Sequence, residues 1–326
     1  MERRKFLLGA AAAALAASPS VHIARAQSWP SGQPIRFIVP APAGGGFDFM
    51  ARLAAQRGTD KLKATIVVDN RPGGSTLIGT NTVFNAAPDG YTFLASAFNH
   101  ILLNHILRNV PFDPQTDFEV VARTARAPLV MVMAPQRPER TLSEVVNSIR
   151  QKPDAWEMAV PTLGAAGHLA TLDFMRRVGV KLTVVPYRGT APALTDVMGG
   201  QVSLLIDAAP ALIPVARDGK ARPVAILSRQ RSSVAPEIPT AIEGGMADFE
   251  FASWYGLWAP KGTPLEIRQR VNDVMREALA DPEFIARLEK LLLEPVVETI
   301  DETRAFIKTE VDRQVELLKS FDFKPQ

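Results

Sequence analysis

Cysteine is missing from all 326 residues. Its absence excludes disulfides, a thiolate nucleophile, a cysteine-held metal and the lipidated cysteine that would tether an exported protein to a membrane. Histidine is scarce, with four in the chain. His100 and His105 are five apart, so neither i,i+3 nor i,i+4 helical geometry pairs them as metal ligands, and no metal site is expected. No Gly-x-Ser-x-Gly elbow and no Gly-Lys-Ser/Thr loop occurs, which removes the commonest serine-hydrolase and nucleoside-triphosphate signatures. Gly44-Gly45-Gly46 stands where a dinucleotide fingerprint would, but the position three beyond Gly46 is Phe49, so no nucleotide cofactor is expected.

The N-terminus carries its own pattern. Arg3-Arg4-Lys5 precedes Phe6-Leu7-Leu8 and an alanine-rich run, and Ala24-Arg25-Ala26 matches a cleavage signature, so residues 1–26 are predicted to be a signal peptide. The paired arginines resemble a twin-arginine export signal, although such pairs also occur in Sec signals. The apolar run is too short to span a bilayer, and no other run is long enough. Residues 27–326 hold 33 basic and 33 acidic side chains, a balance that argues against a nucleic-acid or membrane-surface partner. A periplasmic location follows as an expectation.

What the chain does have is one device built twice. Ile35 to Pro40 is a short apolar strand, followed by a loop of small residues, a helical run from Asp48 and a second strand at Ile66-Val67-Val68. Met158 to Pro161 repeats it, with a loop from Thr162 to Gly167, a helical run from His168 and a strand at Thr183-Val184-Val185. A strand feeding a small-residue loop into a helix start presents unpaired N–H groups and the positive end of the helix dipole, which suits an anion. Candidate binding residues are therefore Ala43, Gly44, Gly45, Gly46, Phe47 and Asp48 in the first loop. In the second they are Thr162, Gly164, Ala165, Ala166 and His168. Asp48 has the place of an N-cap, more suited to the first turn's N–H groups than to ligand. His168 stands where a direct or water-mediated ligand contact is possible.

Tyr187-Arg188-Gly189 couples a strand end to a further helix start, and another strand closes at Asp207; Tyr187, Arg188, Gly189 and Asp207 join the candidates. Arg188 has the guanidinium for a bidentate carboxylate contact or for a surface salt bridge. Ser96 and Phe98, at the end of a strand beginning near Tyr91, complete the set. Two apolar runs, Leu129 to Ala134 and Phe251 to Ala259, bracket the second unit and are predicted to cross between two lobes. The expected division is 27–128 with 255–326 as one lobe and 129–254 as the other. Strand–helix alternation argues for α/β with largely parallel sheets. Thr141, Thr263 and Thr299 each open a capping-box pattern, so the last 60 residues are expected to be helical.

Taken in order, Pro34-Ile35-Arg36, Ile38-Val39-Pro40 with Gly44-Gly45-Gly46 and Asp48, Asn70-Arg71-Pro72-Gly73 and Ala87-Pro88-Asp89-Gly90-Tyr91-Thr92 resemble the Bug family of periplasmic solute-binding proteins, receptors of tripartite tricarboxylate transporters. Gly167-His168-Leu169, Val185-Pro186-Tyr187, Ala191-Pro192-Ala193 and Trp254 with Gly256 extend the resemblance over nearly all of the mature chain. It implies a two-lobed α/β type II periplasmic-binding-protein fold with two crossover strands, closing on a small carboxylate held by backbone N–H groups and water. It implies a membrane transporter as partner, or a sensor, and no enzyme activity; a carboxylate-processing enzyme using His168 or His100 is the competing reading. Phe47 stands where the family usually has Ser or Thr, and Leu163-Gly164-Ala165-Ala166 replaces a loop usually rich in Ser, Asn and Gly. With Phe98, these predict a carboxylate with an apolar or aromatic body.

Overall fold

A computed structural model of the protein describes residues 29–43, 46–187, 189–233 and 235–325. The predicted signal peptide, Gly44, Gly45 and Arg188 lie outside the described residues. The chain opens with β1 (Ile35–Val39), α1 (Gly46–Leu62), β2 (Ile66–Asn70), α2 (Leu77–Phe84), β3 (Thr92–Ala97) and the short α3 (Leu103–Ile106). The long β4 (Phe118–Met133) leads to α4 (Leu142–Gln151), β5 (Glu157–Val160), α5 (Ala166–Val178), β6 (Thr183–Pro186) and α6 (Thr190–Met198). Then come β7 (Leu204–Ala208), α7 (Ala209–Arg217), β8 (Arg222–Ile226), β9 (Ala252–Pro260), α8 (Leu265–Leu279) and α9 (Pro282–Lys290). The last elements are β10 (Glu294–Pro295) and α10 (Ile300–Ser320).

The strands form one continuous path, β2-β1-β3-β9-β4-β7-β5-β6, with β8 and β10 paired to β4 off the path. The three N-terminal strands are parallel, and so are β5, β6 and β7. Contrary to the expectation of largely parallel sheets, the middle is antiparallel: β9 runs against both β3 and β4, and β4 against β7 and β8. The reason is topological. A chain that leaves one sheet and returns must traverse the junction in both directions; β4 is the outward passage, and the return, at Phe251, delivers β9 into the first sheet between β3 and β4.

The expected crossing at Leu129 is the second half of β4. Its first half, Phe118 to Pro128, pairs with β9, and Leu129 to Met133 pairs with β7. The return passes through Phe251, whose N–H donates to the Leu227 carbonyl at 3.0 Å while its own carbonyl accepts from Leu129 at 3.1 Å. β9 itself then pairs with β3 and β4.

The C-terminal helices have apolar faces and close this junction. Ile307 and Leu318 of α10 are buried in the same apolar cluster as Ile38, Leu94, Leu129 and Leu169, so the helix packs on both halves of the molecule. Burying such side chains contributes about 1.5–3 kcal/mol each, more than helix propensity supplies. Two helix starts match their sequence pattern: Thr141 accepts from the Glu144 N–H, and Thr299 with Glu302 forms a full capping box. Thr263 does not. Helix α8 is preceded directly by Pro264, and the Thr263 hydroxyl donates to the Pro260 carbonyl instead. The C-terminal stretch also contains β10, a two-residue strand on β4 that the capping pattern gave no hint of.

Candidate functional site

The first loop is fixed from below. Pro40 lies against Gly79, where a Cβ would come within 2.7 Å of the Pro40 Cα, so any larger residue in α2 would push β1 aside. The Asn70 amide donates to the Ala41 carbonyl at 3.1 Å, and Arg71 N–H donates to the Val39 carbonyl at 2.7 Å. Helix α1 begins at Gly46, two residues before the predicted start, which puts Asp48 inside the first turn. There it accepts from the Arg52 Nε at 3.0 Å, an i,i+4 ion pair that suits a helix N-terminus. Phe47 packs edge-on against Tyr255 with ring centroids 5.9 Å apart. Ala43 is exposed at the loop's rim.

The second loop is tied in more places. Tyr187 N–H donates to the Val160 carbonyl at 2.9 Å and Gly189 N–H to the Pro161 carbonyl at 2.7 Å, so the third candidate segment is laced to the base of the second. Ala165 N–H donates to Thr162, and both His168 and Leu169 N–H groups donate to Ala165. Gly164 holds φ +78°, and a Cβ there would strike Ile106 of α3 at 2.6 Å. At Gly167 a Cβ would stand 2.3 Å from the Ile206 carbonyl oxygen, so the first turn of α5 rests directly on β7. Ala165 is the N-cap and offers no side-chain oxygen. Among the described residues, the N–H groups of Ala166 and Gly167 have no protein acceptor.

His168 is buried, and its Nδ1 accepts from the Gly164 N–H at 3.0 Å. The imidazole is therefore neutral with its proton on Nε2, and burial holds its pKa down to about 4. Its ring packs edge-on against Phe323 of the C-terminal tail, 5.5 Å between centroids. His168 thus shapes the loop from behind.

The remaining candidates divide. Asp207 ends β7, accepts from the Thr190 hydroxyl at 2.6 Å and from the Ala208 N–H at 2.8 Å, and has its pKa raised by burial against those two hydrogen bonds. Tyr187 donates to Asp196 at 2.7 Å, and burial with that carboxylate pushes its phenol up to about 12. Ser96 is buried, and its hydroxyl has no hydrogen-bond partner among the described residues. Phe98 faces the core, edge-on to Trp254, and backs the wall from inside. His100 is wedged between Phe118 and Trp258, and burial drives its pKa down to about 3. Tyr255 and Thr190 were not among the sequence candidates. Thr190 meets Asp207, 17 residues on, and Tyr255 meets Phe47 near the other end of the chain, pairings that no local pattern carries.

No group of three or more metal-ligating side chains occurs among the described residues, and none of their helices is long and apolar enough to cross a membrane. Four helix starts, those of α1, α5, α6 and α7, follow the carboxyl ends of β1, β5, β6 and β7, the position where open α/β sheets bind ligands.

The profile of the tripartite tricarboxylate transporter family receptor matches residues 50–323. The chain belongs to this family. Protein BugT of Bordetella pertussis (strain Tohama I) is 34% identical over 88% of this chain and 89% of its own. Among solved structures, the periplasmic binding protein BugD is 31% identical with a TM-score of 0.80, covering 91% of this chain and all of its own. An R. palustris protein solved with adipate is 32% identical with a TM-score of 0.85 over the same shares. The fold is that of type II periplasmic-binding proteins, and this Bug-family receptor has relatives named as receptors and binding proteins, not as enzymes.

Proposed function

We propose that the chain is exported, cleaved after Ala26, and acts in the periplasm as a receptor whose two lobes, 27–128 with 255–326 and 129–254, close on a small organic carboxylate. The closed form is then presented to the membrane subunits of a tripartite tricarboxylate-type transporter. The observation that carries this reading is the pair of N–H groups at Ala166 and Gly167, unserved at the start of α5 where the β5 strand ends. Such groups with the helix dipole behind them are a ready anion site. Ala43, Gly44, Gly45 and Gly46 would supply the opposing loop.

The body of the ligand is read from the wall. Phe47 and Tyr255 meet edge-on, and Ala97 and Ala125 lie in register beside Tyr255 on the neighbouring strands. Small and aromatic residues around a few polar groups favour a carboxylate with an apolar or aromatic body. A similar receptor solved with adipate, whose carboxylates flank a hydrocarbon chain, is consistent with that class. The test is a thermal-shift screen of mono-, di- and aromatic carboxylates on the mature protein. Ligand at about 100 times its Kd adds roughly 2.7 kcal/mol of stability. Calorimetry that found citrate or aspartate far tighter than any benzoate-like or branched acid would overturn the assignment of the body. N-terminal sequencing of the periplasmic fraction checks the export step, which an intact Met1 would refute.

A further inference from the structure

Helix α10 ends in a turn that sends the chain back. Asp322 holds φ +50°, its N–H donates to the Lys319 carbonyl at 3.0 Å, and the Phe323 N–H donates to the Leu318 carbonyl at 3.1 Å. Those two bonds make a Schellman turn, with Asp322 at the left-handed position that glycine usually fills. Phe323 therefore leaves the helix axis and packs, partly buried, against the apolar cluster that contains Leu318 and Leu169.

The segment arrives behind the second loop. The Phe323 ring stands edge-on to His168, whose Nδ1 accepts from the Gly164 N–H. Gly164 also meets the side chain of Ile106 in α3. Two residues beyond Ile106, the Arg108 Nε donates to the Pro325 carbonyl at 2.7 Å. The contacts close a ring that runs from Gly164 through His168, Phe323, Pro325, Arg108 and Ile106 back to Gly164. The stretch bearing the Ala166 and Gly167 amides lies between Gly164 and His168, so the ring grips it at both ends.

We infer that Phe321 to Pro325 is a clasp that keeps the amide-bearing second loop in its binding geometry. Phe323 and Arg108 are its positioning residues, acting through His168 and Ile106 without touching ligand. A loop ordered by the fold spares the ligand the cost of ordering it, so the clasp strengthens binding by preorganisation. The inference rests on the reading of this loop as the carboxylate site.

The test has an arm without ligand and an arm with one. Amide hydrogen exchange on the ligand-free mature protein follows the Gly164 and Leu169 N–H groups, which are bonded within the loop, against those of Glu144 and Phe284, bonded to caps elsewhere. In Phe323→Ala the loop amides should exchange roughly threefold to tenfold faster, the worth of an aromatic pair, while the two controls keep their rates. Phe323→Tyr, which keeps the ring, should restore the unaltered rates. Asp322→Val, which strains the left-handed turn, should act as Phe323→Ala does, and Asp322→Gly should not. If Phe323→Ala fails to fold, Arg108→Ala at its exposed position takes its place, with an effect in the same direction of up to about threefold. Calorimetry with adipate as the probe should show affinity falling by the same factor as the loop loosens. Loop exchange unchanged in Phe323→Ala, or raised equally at the control amides, overturns the clasp. A loosened loop with unchanged adipate affinity overturns its part in binding. Adipate that fails to bind the unaltered protein counts against the carboxylate reading, and the exchange arm still decides the clasp.

Discussion

Helices α4, α9 and α10 begin on Thr141, Asp281 and Thr299, and in each the side-chain oxygen accepts from a first-turn N–H. Helices α5, α6 and α7 begin on Ala165, Gly189 and Ala208, and none of these caps has a side-chain hydrogen bond. The first group lies away from the carboxyl ends of the parallel strands and the second at them. A side-chain cap is worth about 1 kcal/mol, so the second group forgoes on the order of 3 kcal/mol of stability. Leaving those amides unserved makes sense where a ligand is to serve them, the usual form of the trade between stability and function. The contrast is not a rule for every helix. Helix α8 also starts without a side-chain cap, behind Pro264 on an exposed surface.

The largest effect comes from moving a cap from one group to the other. Ala165→Asp gives α5 the carboxylate that Asp281 gives α9. Stability should rise by about 1 kcal/mol. Carboxylate affinity should fall on the order of a thousandfold, since like charges about 4 Å apart at an effective dielectric near 20 repel by roughly 4 kcal/mol. Thermal unfolding and calorimetry on one preparation read both. Unchanged affinity in the more stable variant would break the comparison.

The next effect is on pH. His168 belongs to the uncapped loop and His100 to the core, and burial holds both pKa values below the ordinary 6.5, to about 4 and about 3. The unfolded chain therefore takes up these protons first as pH falls. The stability they contribute is complete above about pH 6.5 and declines below it, levelling off only as the folded pKa values are passed. Denaturant titration at pH 7 and pH 5 should differ by on the order of 3 kcal/mol. Replacing His100 by Phe should remove about half of that difference without altering affinity; an unchanged pH dependence would show that these imidazoles are not its source.

The repeated device was legible because both copies sit on one short pattern: an apolar strand ending in Val-Pro, then small residues. Half of β4 was not. Glu119, Arg123 and Arg126 interrupt its apolar run, and only the structure shows why charges are tolerated there: Arg123 pairs with Glu298 and stacks on Phe306, and Arg126 pairs with Glu294. The same limit applied in the site. Asp48 was legible as an acid at a helix start, but its Arg52 partner and its place inside the turn depend on where α1 begins. His168 was visible as a histidine at a helix start, whereas its bond to Gly164 requires the loop's left-handed turn. Tyr255 could not be found from sequence because Phe47, Ala97 and Ala125, which surround it, are brought to it only by the fold of the sheet.

Smaller effects sharpen the contrast from the capped side. Thr299→Ala should cost about 1 kcal/mol of stability and leave carboxylate affinity untouched, because its N–H partners belong to α10 alone. A loss of affinity there would mean that caps act on binding through general stability. Arg188→Gln should weaken binding least, by less than about tenfold, if helix-start amides carry recognition. A large loss in Arg188→Gln with retained affinity in Ala165→Asp would assign recognition to the guanidinium.

The most direct measurement follows the amides themselves. In 15N-labelled protein titrated with an acid that the thermal-shift screen identifies, the N–H resonances of Ala166 and Gly167 should move strongly on saturation. Those of Glu144, Phe284 and Glu302, already bonded to their caps, should stay in place. Saturation that leaves Ala166 and Gly167 unmoved would contradict the account, because the ligand would then be held by something other than the uncapped start of α5.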